Sequence, residues 1–237
     1  MLSYRDERFL ENIYNTCIKN CSRARQILDF DTKNLDVDTK KILESGIPER
    51  VLPSNQLFQS NAWQRTMFLR YGLALHYSRG KDVLETCSGL GWGAFLLDSI
   101  AKSVTCIEID DQSLNLSRRL WDTTRTAFVK ASVSEIPVQD KQFDVAVSME
   151  CIEHFSLSDI KKYLSEMHRV LKPGGILIGS SFFPDTTEDA VQARSANEFH
   201  LHVCTRREII ELLHATGFEK IKIFPNRLFI TARKKKT

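Results

Sequence analysis

The chain has 237 residues, a net charge of +3, and 42% hydrophobic and 27% charged content. That is the make-up of a soluble globular protein long enough to bury a core. So small a charge argues against nucleic acid as a partner, because only the closing run 233–236 (RKKK) is locally basic, and such a run is ordinarily a solvated tail. No apolar run approaches the roughly 20 residues of a membrane helix, and the charged start MLSYRDERFL lacks the apolar stretch of a secretory leader. A cytoplasmic protein without a membrane span is expected. Its six cysteines (Cys17, Cys21, Cys87, Cys106, Cys151, Cys204) form no C-x-x-C pair and no tight Cys/His cluster, so reduced, buried thiols are expected.

In chain order, Phe9, Leu10, Ile13, Tyr14, Cys17, Ile18 and Cys21 recur at three- and four-residue steps. This predicts an amphipathic helix over 4–21, either covering a sheet edge or a neighbouring helix or forming part of a substrate lid. A polar stretch (29–38), a short helix ending near Gly46 and a loop with Pro48 and Pro53 follow. Residues 1–60 are read as an N-terminal helical extension or lid and 61–237 as the main domain. Asn61 is placed to cap a helix over 62–77, with Trp63, Met67, Phe68, Tyr71 and Leu75 on or near one face, mostly as core.

From Lys81 strands and helices alternate. Strand patterns run through Leu84, over 104–108, 127–130, 143–149 and 176–181, with helices to about Ala101, over 112–121 and over 157–171. Ser156 with Asp159 and Thr205 with Glu208 read as capping boxes, the second opening a helix that stops at Gly217. Lys172, Pro173, Gly174 and Gly175 suit a type II turn. The segment 182–204 is long for a connection and therefore suspected of a function. Two short strands, 220–223 and 227–231, close the chain as a hairpin around Pro225 and Asn226. Alternating βα units imply a mostly parallel sheet with helices on both faces. Its ligand belongs at the carboxyl ends of the strands, near the switch point.

The stretch 81–97, KDVLETCSGLGWGAFLL, is a strand, a glycine-rich turn and a helix start. Glycines at alternate positions permit positive φ and close approach of a ligand to the main chain. Gly89, Gly91 and Ala94 satisfy G-x-G-x-x-G/A. Glu85 ends the first strand. Glu108 ends the second, where a carboxylate can accept hydrogen bonds from both hydroxyls of an adenosine ribose. These features suit NAD and S-adenosylmethionine (SAM) equally.

The chain resembles the class I SAM-dependent methyltransferases, in particular the small-molecule branch of ubiquinone and menaquinone biosynthesis. The resemblance rests on VLETCSGLGWG (83–93), VTCIEID (104–110), IPVQDKQFDVAVSMECIEHF (136–155), RVLKPGG (169–175) and HLHVCTRREIIELLHATGF (200–218), in that order. It implies a Rossmann-like three-layer α/β sandwich with a seven-stranded, mostly parallel sheet and an antiparallel C-terminal hairpin strand. SAM is the implied cofactor and S-adenosylhomocysteine the product. By the resemblance, Glu85, Gly89 and Gly91 hold the methionine end of SAM and Glu108 the ribose. Ser132 and Val133 contact adenine, and Met149 lies beside the methyl group. Arg70, Tyr71, Trp92 and Ile109 flank these motifs and complete the expected cofactor-binding set. The sequence departs from the family at Cys87, where glycine is common, and at Ser132, where aspartate is usual.

A sulfonium already activates its methyl group, so the protein must chiefly place the acceptor in line. A hydroxyl acceptor also needs a base, and a histidine titrating near working pH suits that role. His154, just after the fourth strand, is the first candidate, and His200 with His202 the second pair; His154 could instead simply hold a loop. The resemblance to ubiquinone-pathway O-methyltransferases also implies that Glu150, Glu153 and His154 could take a divalent cation, although no metal is the expectation. Trp92, Phe182, Phe183 and Phe199 line an acceptor pocket or pack as core. The expected function is SAM-dependent methylation of a small-molecule or sugar-like acceptor, with oxygen as the preferred atom. The alternatives are an RNA or protein methyltransferase, and a non-catalytic adenosyl-binding regulatory module.

Overall fold

Residues 83–86, 106–108 and 145–148 are buried runs, the pattern of strands covered on both faces. The computed structural model, which describes residues 8, 11–19, 21–30, 35–44, 52, 61–224 and 229–235, assembles them into a seven-stranded sheet. The strands are β1 (Asp82–Thr86), β2 (Ser103–Glu108), β3 (Thr126–Lys130), β4 (Phe143–Met149), β5 (Leu171–Ser180), β6 (Phe218–Phe224) and β7 (Phe229–Lys234). Their spatial order is β3-β2-β1-β4-β5-β7-β6. β1 to β5 are parallel, and β7 runs antiparallel to both β5 and β6. The expected architecture is therefore the observed one. β1 carries β2 on one side and β4 on the other, so the chain reverses its progression there and opens a crevice at the carboxyl ends of β1 and β4.

The helices in chain order are α1 (Ser22–Leu28), α2 (Val37–Glu44), α3 (Asn61–Ser78), α4 (Trp92–Asp98), α5 (Asp111–Leu120), α6 (Leu157–Val170), α7 (Thr187–Ser195) and α8 (Arg206–Ala215). Two apolar clusters make the layers. Phe68, Leu73, Leu96 and Leu97 pack with Val83, Val104 and Val145. Tyr163, Leu164, Met167, Ile209 and Leu213 pack with Leu84, Ala146 and Leu177. Alternate strand residues thus feed opposite layers, as the period of a strand requires. No described helix is long and apolar enough to cross a membrane.

The anticipated caps form: Ser156 Oγ accepts from Asp159 N at 3.3 Å and Thr205 Oγ1 from Glu208 N at 3.2 Å. The proline–glycine turn is present too, with Gly174 at φ +77°. It lies within β5, which begins at Leu171 and resumes its pairing at Ile176, making the turn an irregularity in one strand. At the N-terminus the expected single helix over 4–21 is interrupted. Tyr14–Ile18 forms a π-helical segment, and Cys21 is the N-cap of a separate helix, α1. α1 buries Ala24 and Ile27, too short a stripe to stand out in the sequence. Ile13, Ile18, Ala24 and Ile27 belong to the same cluster as α4, and Arg23 reaches Asp98 at 2.9 Å and the Phe95 carbonyl at 2.6 Å. This described part of the extension packs on a neighbouring helix. α7, inside the segment expected to be irregular, buries only Ala190 and so carries no periodic apolar signal. Phe9, Leu10, Gly46, Pro48, Pro53, Pro225, Asn226 and Arg227, and the side chains of Trp63 and Met67, lie outside the described residues.

Cys87 and Cys151 are joined by a disulfide, which corrects the expectation of thiols throughout; Cys17, Cys21, Cys106 and Cys204 are free. The pair meets because β1 and β4, distant in sequence, are neighbours in the sheet.

Candidate functional site

After Thr86 the chain turns through Cys87, Gly89 and Gly91, with φ of 54°, 53° and 71°, and enters α4. Three contacts fix this loop. Gly89 N donates to Glu108 Oε2 at 2.9 Å, Ser117 Oγ to the Gly89 carbonyl at 3.3 Å, and Trp121 Nε1 to the Leu90 carbonyl at 2.6 Å. Ser117 and Trp121 were not anticipated; their sequence signal is no more than positions on and just after α5. A Cβ at Gly91 would lie 2.6 Å from the Ser117 side chain, whereas the space beside Gly89 is open to 4 Å.

Glu108 is nearly buried. Its Oε1 accepts from Ile109 N at 3.0 Å and Asp110 N at 3.1 Å while Oε2 faces Gly89. Held from both sides, the carboxylate borders the open space at Gly89 and keeps acceptor capacity there. Ile109 beside it is 65% exposed, an apolar surface where a base could lie. Ser132 is exposed at the next rim, its Oγ 3.0 Å from Ser134 Oγ, and Val133 is buried in the second cluster.

Glu85 is buried under the loop. Tyr71 Oη donates to its Oε1 at 2.8 Å and Cys106 Sγ lies 3.2 Å from Oε2. The Tyr71 ring meets Trp92 with centroids 4.4 Å apart. A Cβ at Gly93 would lie 2.1 Å from Tyr71 Oη and 2.3 Å from Glu85 Oε1, so this pair depends on glycine at 93. Burial pushes the Glu85 carboxyl up from an ordinary 4.5 to about 7, against the opposing pull of the Cys106 and Tyr71 contacts. A raised folded pKa means that the unfolded chain releases this proton first. The stability Glu85 confers is thus complete below pH 4.5 and lost as pH rises towards 7. The expected decline across that window is on the order of 3 kcal/mol relative to a Glu85→Gln variant, read from urea midpoints at the two ends. Parallel pH profiles for the two proteins would refute it.

At the end of β4, Met149 packs against the first cluster. Glu150, at φ +47°, turns aside to accept from Ser180 Oγ at 2.7 Å and pair with Arg70 at 3.1 Å. Arg70 is therefore at the β4–β5 rim. Glu153, His154 and His200 come together with ligand-type atoms within 4.8 Å of one another, and Glu150 is not in this group. The two imidazole rings are 5.5 Å apart, edge to face. His154 Nδ1 lies 3.2 Å from the Phe199 carbonyl, an oxygen that can only accept, so Nδ1 is the ring nitrogen that donates there. Asn197 Oδ1 accepts from Phe199 N at 3.0 Å, so its amide nitrogen is the group 3.2 Å from His200 Nε2. His202 is directed elsewhere, with Nε2 2.9 Å from Glu208 Oε1 and beside Cys204 in a second His/Cys/Glu group. Leu201 N and His202 N both donate to the Glu153 carbonyl, at 2.9 and 3.3 Å, tying the loop after β4 to the segment after β5. Phe183 is core, while Phe182, Phe199 and Leu201 are 40%, 42% and 51% exposed.

Residues 84–179 match the model of a methyltransferase domain. A protein of Mycolicibacterium smegmatis named as an S-adenosylmethionine-dependent methyltransferase is 32% identical over 186 residues, covering 77% of this chain and 69% of that protein. A fatty-acid O-methyltransferase of the same organism is 30% identical over 171 residues, covering 68% of this chain and 60% of that one. Among solved structures, the PH0226 protein of Pyrococcus horikoshii OT3 superposes with a TM-score of 0.61 at 21% identity, over 81% of this chain and all (100%) of that chain; at that identity the likeness concerns the fold.

Proposed function

Since this chain belongs to the SAM-dependent methyltransferases, we propose that it transfers a methyl group to an oxygen atom of a small-molecule acceptor, leaving S-adenosylhomocysteine. The observation that carries the acceptor side of this reading is the His154–His200 pair at the end of β4, flanked by exposed Phe182, Phe199 and Leu201. The cofactor side fits the same crevice. Open space beside Gly89 adjoins the Glu108 carboxylate, an acceptor suited to a ribose diol. Gly89 and Gly91 let the main chain approach the cofactor closely, and Met149 with Glu85 borders its methionine end.

Bound SAM supplies the activated methyl group. The chain's own residues orient the acceptor, keep water out and take up its proton. His154 Nε2 is the proton acceptor in this reading, since Nδ1 faces the Phe199 carbonyl. The exposed aromatic and aliphatic side chains favour an acceptor with an apolar portion over a wholly sugar-like one. The relative named for fatty-acid O-methylation supports the same preference.

The test is S-adenosylhomocysteine formation with panels of apolar hydroxyl compounds, fatty acids and sugars. With a hydroxyl acceptor, His154→Ala should lower kcat by about 10²- to 10⁴-fold while leaving the affinity for SAM intact. A fatty-acid carboxylate is already ionised at neutral pH and needs no base, so the same variant should be near wild type with that acceptor. Unchanged turnover of every hydroxyl acceptor would remove His154 from the mechanism. SAM binding without turnover of any acceptor would leave the non-catalytic role standing.

A further inference from the structure

The Cys87–Cys151 bridge spans the crevice where the sheet reverses its progression. Cys87 directly follows β1 and stands two residues before Gly89; Cys151 lies two residues past β4. The two are 64 residues apart in sequence, with Cα atoms 5.9 Å apart. Each belongs to a loop that builds the site: one carries the glycine-rich turn, the other runs from Met149 through Glu153 and His154. Both loops hold a non-glycine residue at positive φ, Cys87 at 54° and Glu150 at 47°, so both take shapes that their sequences do not favour on their own. The two sulfurs also differ in access. Cys151 is fully buried, whereas Cys87 is partly exposed at the mouth.

We propose that Cys87 and Cys151 form a reversible thiol–disulfide site that gates the cofactor crevice, with a low-molecular-weight thiol and its disulfide, of the glutathione type, as its partner. Bridged, as in this structure, the ribose side of the crevice beside Gly89 and Glu108 stays open while the loops after β1 and β4 are tied across the place where the methionine end of SAM lies, and SAM binds weakly. Reduced, the loops separate and SAM enters. Opening begins at the accessible sulfur. An external thiolate attacks Cys87 Sγ, the Cys87–Cys151 bond breaks, and Cys151 leaves as a thiolate that takes up a proton. A second external thiolate attacks the outer sulfur of the mixed disulfide, releasing Cys87 as a thiolate that is likewise protonated. Two small thiols are oxidised to one small disulfide while the protein disulfide is reduced to two thiols. Closing is the reverse, with the small disulfide as the two-electron oxidant. The proposal rests on SAM as the cofactor of this crevice.

The experiment equilibrates the full chain in glutathione buffers from fully reducing to fully oxidising. At each ratio, peptide mapping after alkylation scores the 87–151 linkage and calorimetry gives the SAM affinity. The linkage should appear on oxidation, and the affinity should fall with it by about tenfold or more, as the binding-competent fraction shrinks. Cys151→Ser should bind SAM equally at both extremes; the wild-type titration decides the matter even if that variant folds poorly, because linkage and affinity are read on the same samples. The switch is overturned if the linkage forms at no ratio, or if it forms and the affinity does not fall. If the reduced protein itself fails to bind SAM, the cofactor assignment falls and the switch with it, an outcome told apart by the absence of binding in every buffer.

Discussion

Gly93→Ala is expected to lower the thermal midpoint by on the order of 10 °C and to remove SAM binding along with it. The added carbon would sit 2.1 Å from Tyr71 Oη and 2.3 Å from Glu85 Oε1, and neither neighbour can retreat cheaply. Tyr71 is 5% exposed and packs on Trp92; Glu85 is in the middle of the sheet, paired on both sides. Overpacking costs about 1–3 kcal/mol, and separating Tyr71 from Glu85 leaves a buried carboxyl short of a donor, about 1–3 kcal/mol more. At about 2–4 °C per kcal/mol for a chain of this size, the shift follows. Gly89→Ala is the contrast. Nothing lies within 4 Å of its Cβ, so only the left-handed backbone resists, at about 1 kcal/mol. Differential scanning calorimetry of the two variants measures the difference, and equal midpoints would show that the Tyr71–Glu85 contact does not confine residue 93.

Glu108→Ala should weaken SAM binding by about 10²-fold or more, from the loss of two hydrogen bonds between a carboxylate and ribose hydroxyls at about 1.5–3 kcal/mol each. The loss extends beyond the ligand. Gly89 N, Ile109 N and Asp110 N all donate to this carboxylate, so alanine also slackens the glycine-rich loop that forms the opposite wall. Glu108→Gln retains one carbonyl acceptor and should fall between wild type and alanine. Isothermal titration with SAM orders the three proteins. An alanine variant that binds SAM as wild type does would withdraw Glu108 from the site.

Much of this protein was legible in its sequence because the relevant signals are local. Strand and helix alternation, the glycine-rich turn, the capping at Ser156 and Thr205 and the acidic ends of β1 and β2 are each contained in a short window, and a backbone preference or a hydrogen bond to a near neighbour fixes them. Those readings also led to the family. α7 escaped because a helix with one buried residue has no stripe, and the break in the N-terminal helix escaped because seven apolar residues kept a helical period across it.

What tertiary structure alone decided are meetings between residues far apart in the chain. His200 and His202 are two positions apart, yet one joins Glu153 and His154 while the other turns to Glu208, because the chain bends at Leu201 between them, where an extended backbone would have kept both on one side. Glu150 left the E-x-x-E-H group for Arg70 and Ser180, and Cys87 found Cys151 because the strand order sets β1 against β4. By itself the sequence determined the elements, the glycine-rich loop and the chemistry available. The order of the strands determined which side chains share a site, since proximity across a sheet follows from pairing and not from distance along the chain.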